Sequence, residues 1–139
     1  MTRIHNVHER EIAAPATVVG EILDTVGSAD DRLWATDIWV AEPVVFDRPL
    51  GVGASGGHGS IRYSVVEYEP SRRIVFEFSP GGGLSGTHRF ELEPLGPERT
   101  RTISERLVDT LAALHAVEPA SDLFSLGATL YAAVEGRSP

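Results

Sequence analysis

The sequence predicts an α+β domain in which an antiparallel sheet is covered by a C-terminal helix. Three observations predict it. Alternating apolar segments recur roughly every 12 residues between residues 61 and 107, separated by Pro- and Gly-rich turns, the pattern of an antiparallel meander. Apolar residues at helical spacing occur near both ends: Val18, Val19, Ile22, Leu23 and Val26, then Leu123, Leu126, Leu130 and Val134. A sheet with one apolar face needs a cover, and the last helix is the natural one.

Residues 3–12 alternate and read as a first strand. Pro15 suits the first turn of the helix that follows, and Gly27 stops it. Ser28, Asp30 and Asp31 look like the start of a second short helix, with Leu33 and Trp34 on its buried side. Residues 38–46 are a strand candidate interrupted by Pro43, and residues 49–59 a glycine-rich loop. Ile61, Tyr63 and Val65 alternate, as do Ile74, Phe76 and Phe78, and His88, Phe90 and Leu92. Residues 99–107, rich in Thr, Arg and Ile, form a last strand. Val108, Leu111 and Leu114 then fall at helical spacing; Ser121 caps the final helix, residues 120–136, and Gly136 ends it.

Composition excludes several functions. The 139 residues fit one domain, residues 1–139. There is no cysteine, hence no disulfide scaffold, thiol nucleophile or Cys-type zinc site. All 12 basic residues are arginine, which removes lysine Schiff-base and phosphoryl-transfer chemistry. A net charge of −8 argues against nucleic acid as partner. The polar N-terminus is not a signal peptide and no stretch is long enough to span a membrane, so a cytoplasmic bacterial protein is expected.

The residues 9–16, Glu-Arg-Glu-Ile-Ala-Ala-Pro-Ala, followed by residues 19–23, begin a likeness to a known family. Residues 63–76 (Tyr-Ser-Val-Val-Glu-Tyr-Glu-Pro-Ser-Arg-Arg-Ile-Val-Phe) and residues 87–94 (Thr-His-Arg-Phe-Glu-Leu-Glu-Pro) continue it. Over residues 3–107 the chain resembles the START-like SRPBCC superfamily, the polyketide cyclase/dehydrase and lipid-transport family. The resemblance implies a helix-grip fold: a bent sheet wrapped around a long C-terminal helix, with an apolar cavity between. Residues 120–139 are instead similar to a buried helix of bacterial Ser/Thr kinases, through Asp122, Ser125 and Gly127. Without lysine, a His-Arg-Asp loop or Asp-Phe-Gly, the chain is no kinase. That segment is a coincidence of amphipathic sequence or a fused or frameshifted remnant, and it still offers an apolar stripe.

The candidate residues are few. His88 is in phase with Phe90 and Leu92 and should point inward, where an imidazole serves as general acid–base or orients a carbonyl. Tyr63 is the second candidate catalytic residue. Trp34, Trp39, His58, Phe76, Phe78 and Phe90 are candidate ligand-binding residues, since small-molecule sites are apolar with a few polar groups. Each has a plain alternative in core packing. Arg62 alternates with Ile61 and Tyr63 and should face solvent. Gly51, Gly53 and Gly56 make a literal G-x-G-x-x-G, but a strand follows rather than a helix, so it reads as a mobile loop; residues 81–86 read as another. Histidine spacing supports no metal site, and no cofactor is expected. The leading expectation is a binder of a small hydrophobic or aromatic ligand. The alternatives are an aromatase/cyclase-type enzyme, and a non-catalytic interaction protein that homodimerises through the sheet edge or the last helix.

Overall fold

The structure is a computed structural model that describes residues 2–34, 42–79 and 84–110. Strand β1 (Thr2–Ile12) leads into helix α1 (Ala16–Leu23). Then come β2 (Val45–Phe46), β3 (Ser55–His58), β4 (Ile61–Glu69), β5 (Arg73–Phe78), β6 (Leu84–Gly96) and β7 (Arg99–Thr110). They form one antiparallel sheet in the order β1-β7-β6-β5-β4-β3-β2. Five hairpin connections give the meander. The first strand closes against the last, Ile4 opposite Val108 and Ile12 opposite Thr100.

Alternation decides which side chains enter the core. Ile74, Phe76 and Phe78 of β5, with Phe90 and Leu92 of β6, bury one face against Val19, Ile22 and Leu23 of α1. In β4 the alternation changes phase: a bulge between Val65 and Glu67 leaves Val66 exposed and brings Tyr63, Val65 and Tyr68 to the same face. Tyr68 there donates its hydroxyl to Asp24 Oδ1 at 3.0 Å, just past the end of α1. Asp24 also accepts the Ser71 backbone N–H at 2.8 Å and the Ser71 hydroxyl at 2.6 Å. Desolvation and the Asp24 carboxylate push the Tyr68 hydroxyl up to about 12. Ser71, with φ 59°, sits against Gly20, where a Cβ would lie 2.6 Å from the Ser71 Cβ and carbonyl oxygen. The helix is thus docked on the β4–β5 turn at a point only glycine admits.

The opposite face carries charge. Glu105 takes both His5 and Arg89, Arg89 also meets Glu91, and Arg73 joins Glu91 to Glu67. Arg99 and Arg101 meet Glu11, and Arg101 meets Glu93.

Four expectations change. The second helix start at residues 28–34 is a series of turns: Asp31 spends its carboxylate on the backbone N–H groups of Gly27, Leu33 and Trp34 at 2.8–2.9 Å rather than on a helical first turn. The glycine-rich stretch is only partly a loop, because residues 55–58 pair with β4 as β3. Its glycines permit close approach: a Cβ on Gly56 would fall 1.8 Å from the Val45 carbonyl oxygen. Likewise residues 84–86 belong to β6, and Val108 lies in β7 rather than in a helix. The strand expected over residues 38–46 is seen as β2 at its end; residues 35–41, with Trp39, lie outside the described residues, as does the helix expected at residues 120–136.

Candidate functional site

The inner face of the sheet brings the candidate residues together. Tyr63 is central to an aromatic cluster, edge-on to Phe76 and Phe78 at centroid distances of 5.2 and 6.2 Å. Phe76 continues edge-on to Phe90 at 5.9 Å and stacks with Phe46 at 6.0 Å. These are favourable aromatic arrangements, and Tyr63, Phe76, Phe78 and Phe90 are all buried in them.

Two polar pairs border this cluster. At one end the Tyr63 hydroxyl and His58 Nδ1 share a hydrogen bond of 2.8 Å. The His58 ring lies 4.6 Å from that of Trp34, whose indole N–H donates to the Glu42 carbonyl at 2.7 Å. Asp31, which holds the Trp34 backbone, has its carboxyl pushed up by burial. At the other end His88 is buried, as its phase requires, with Nε2 3.2 Å from Ser104 Oγ and its ring 4.4 Å from that of Phe90. Burial, reinforced by the charge of Arg106 and by His58, holds the imidazole well below its ordinary range, so it is neutral at physiological pH. A neutral imidazole can either accept or donate a hydrogen bond here.

Trp34, His58, Tyr63, Phe76, Phe78, His88 and Phe90 therefore converge on one side of the sheet, and Trp39 lies outside the described residues. Arg62 is exposed, as expected. The sequence reading missed the contribution of β7. Thr100, Thr102, Ser104 and Arg106 are buried, whereas Leu107 is exposed. Thr100 and Thr102 donate their hydroxyls to the carbonyls of Ala14 and Arg10 at 2.9 and 3.2 Å. Ser104 and Arg106 extend that polar column past Phe90 and His88, their cross-strand partners. These four stand at every second position from 100 to 106 and in register with the apolar face of β6, but Arg99, Arg101 and Glu105 between them are polar too, so the sequence alone shows no alternation there. Among the described residues no group of three His, Asp or Glu side chains is arranged to hold a metal ion.

No family model matches the sequence, and no curated protein matches it. Solved structures do match. Norcoclaurine synthase from Thalictrum flavum, in complex with dopamine and hydroxybenzaldehyde, superposes with a TM-score of 0.73 at 13% identity, over 99% of this chain and 90% of that one. CalU16 from Micromonospora echinospora gives 0.69 at 15% identity, over 97% and 76%. A protein from Nitrosospira multiformis gives 0.68 at 20% identity, over 94% of each chain. Among the described residues no helix is long and apolar enough to cross a membrane. The sheet order, the helix packed on its inner face and these superpositions show that this chain has the START-like helix-grip fold.

Proposed function

We propose that the protein binds a small hydrophobic or aromatic ligand against the inner face of its sheet. The observation that carries this reading is the aromatic run Phe46–Phe76–Phe90 with Tyr63 and Phe78, bordered by the Tyr63–His58 and His88–Ser104 pairs. Such a surface offers apolar area for affinity and a few polar groups for orientation. The norcoclaurine synthase complex, which holds two small aromatic molecules in the same fold, supports it.

A direct test is native mass spectrometry of the purified protein with a panel of lipids and aromatic polyketides, followed by titration of any hit on the fluorescence of its two tryptophans, Trp34 and Trp39. A one-to-one complex weakened by Phe76→Ala is expected. Absence of any complex across the panel would overturn the reading. An aromatase/cyclase-type enzyme is a second reading, favoured by the inward, hydrogen-bonded side chains of His88 and Tyr63 beside the aromatic cluster. Tyr63 and His88 would then move protons on the ligand. It requires turnover that His88→Gln abolishes while binding persists; binding without turnover leaves the first reading alone.

A further inference from the structure

We propose that two copies of this chain associate through the outer edge of β1, the strands antiparallel and related by a two-fold axis at Val7, so that two sheets become one. The proposal is separate from the binding reading, since the rings of that site lie on β2, β4, β5 and β6. It comes from how differently the two edges of the sheet are built. At one edge stands β2, only two residues long, between Pro43 and Pro49. A short strand flanked by proline offers little backbone to another chain. At the other edge stands β1, eleven residues long. It contains no proline, pairs with β7 without a bulge, and has no described strand on its far side. Its outer-face residues Arg3, His5, Val7, Glu9 and Glu11 are all exposed. Such an edge presents a row of backbone N–H and C=O groups ready to pair with another strand.

Charge selects the occupant, because this strand is complementary to itself reversed. With Val7 opposite the partner's Val7, Arg3 falls opposite the partner's Glu11, and His5 opposite the partner's Glu9. The two-fold axis repeats both pairs, and all eleven residues of each strand find a place. Opposite charges directly across an antiparallel pair are favourable, and like charges are not. The new pairs also extend rows already present. Arg3 holds Asp109 across from it in β7, and Glu11 holds Arg101 across from it. Charge therefore alternates in sign from β7 of one copy to β7 of the other. On the inner face Ile4 falls opposite the partner's Arg10 and Asn6 opposite the partner's His8, so no like charges meet. A slip of one residue would set the outer face of one copy beside the inner face of the other. A slip of two shortens the overlap and puts Val7 opposite His5 or Glu9. Pairing by one strand edge is a small interface, so a dissociation constant on the order of 10 µM is expected.

Sedimentation equilibrium of the full chain over about 1–200 µM should show monomer passing to dimer and no larger species. Arg3→Glu and Glu11→Arg each bring like charges together in a homodimer, and each should raise the dissociation constant at least about tenfold. Mixed in equal amounts, the two variants regain both opposite-charge pairs between unlike chains. A heterodimer should then form with an affinity within about threefold of the wild-type value. Both positions are exposed, and far-UV circular dichroism checks that each variant is folded. Should either not fold, hydrogen exchange of the wild type decides: amides of residues 2–12 should slow as concentration rises through the dissociation constant, while those of β2 stay unchanged. A wild type that remains monomeric, a dimer that either variant leaves intact, a mixture that does not reassociate, or slowing confined to other segments would overturn the proposal. The binding reading is untouched by any of these results.

Discussion

At the scale of single residues, His88 couples the site to pH. Its folded form resists protonation because it is buried and faces Arg106, whereas the unfolded chain titrates near the ordinary value of 6.5. Below that pH the unfolded state binds a proton that the folded state refuses. Stability is therefore complete above about pH 6.5 and falls as the solution is acidified, by up to ~1.4 kcal/mol per pH unit for this one group. Urea unfolding between pH 7 and pH 5 should show this slope in the wild type and a shallower one in His88→Gln; equal slopes would show that His88 is not the group responsible. The inward aim of His88 was legible because Phe90 and Leu92 share its phase. Arg106 was not legible, because Ile103 and Leu107 take the outer positions of β7 and reverse the usual apolar-in pattern. Only the register of Ser104 opposite Phe90 settles which side of that strand faces the core.

At the scale of elements, α1 is held less by its own helical tendency than by its docking. Gly20→Ala would gain up to about 1 kcal/mol in helix propensity. The added Cβ, 2.6 Å from the Ser71 carbonyl oxygen, would meet backbone that cannot step aside cheaply. Overpacking of this kind costs about 1–3 kcal/mol, so a lower Tm is expected in a thermal melt. Asp24→Ala removes the acceptor for Tyr68 and for both donors of Ser71, and should cost about 2 kcal/mol in chemical denaturation. An unchanged midpoint would mean that water replaces the carboxylate without loss. The helix and strands β1, β4, β5, β6 and β7 were readable from periodicity. Strand β3 was not, because Gly56 and Gly57 have no side chains with which to display alternation, and their identity reflects the closeness of neighbouring backbones. The turns at residues 28–34 mimic a helix start for a related reason: Ser and Asp bind backbone N–H groups equally well in tight turns.

At the scale of the whole molecule, stability should be uneven across the sheet. Strands β1, β7 and β6 pair over eleven or more residues, whereas β2 offers two residues to β3 alone. Amide hydrogen exchange should be slowest in the middle of β7 and fastest at Val45, Phe46 and β3, since local opening follows the interactions that hold each strand. The reverse order would place the stable unit at the other edge. The meander was legible from turn spacing, but the closure of β1 onto β7 was not, because no local pattern in residues 3–12 names a partner almost a hundred positions away.

The bulge at Val66 has a consequence for how this chain can change over time. Residues 61–65 keep their core side chains at odd positions, and Tyr68 keeps its own at an even one. Val66 is exposed, so most exchanges of that side chain should be nearly silent. Deleting the residue is a different event. It would shift the reading phase of β4, so that either Tyr63 and Val65 leave the aromatic cluster or Tyr68 turns away from Asp24. The Val66 deletion should therefore unfold at far lower denaturant than Val66→Thr, although the two variants alter the same surface position. A residue whose identity scarcely matters is then one whose presence is indispensable, a spacer that keeps the aromatic rings and the helix anchor on one side.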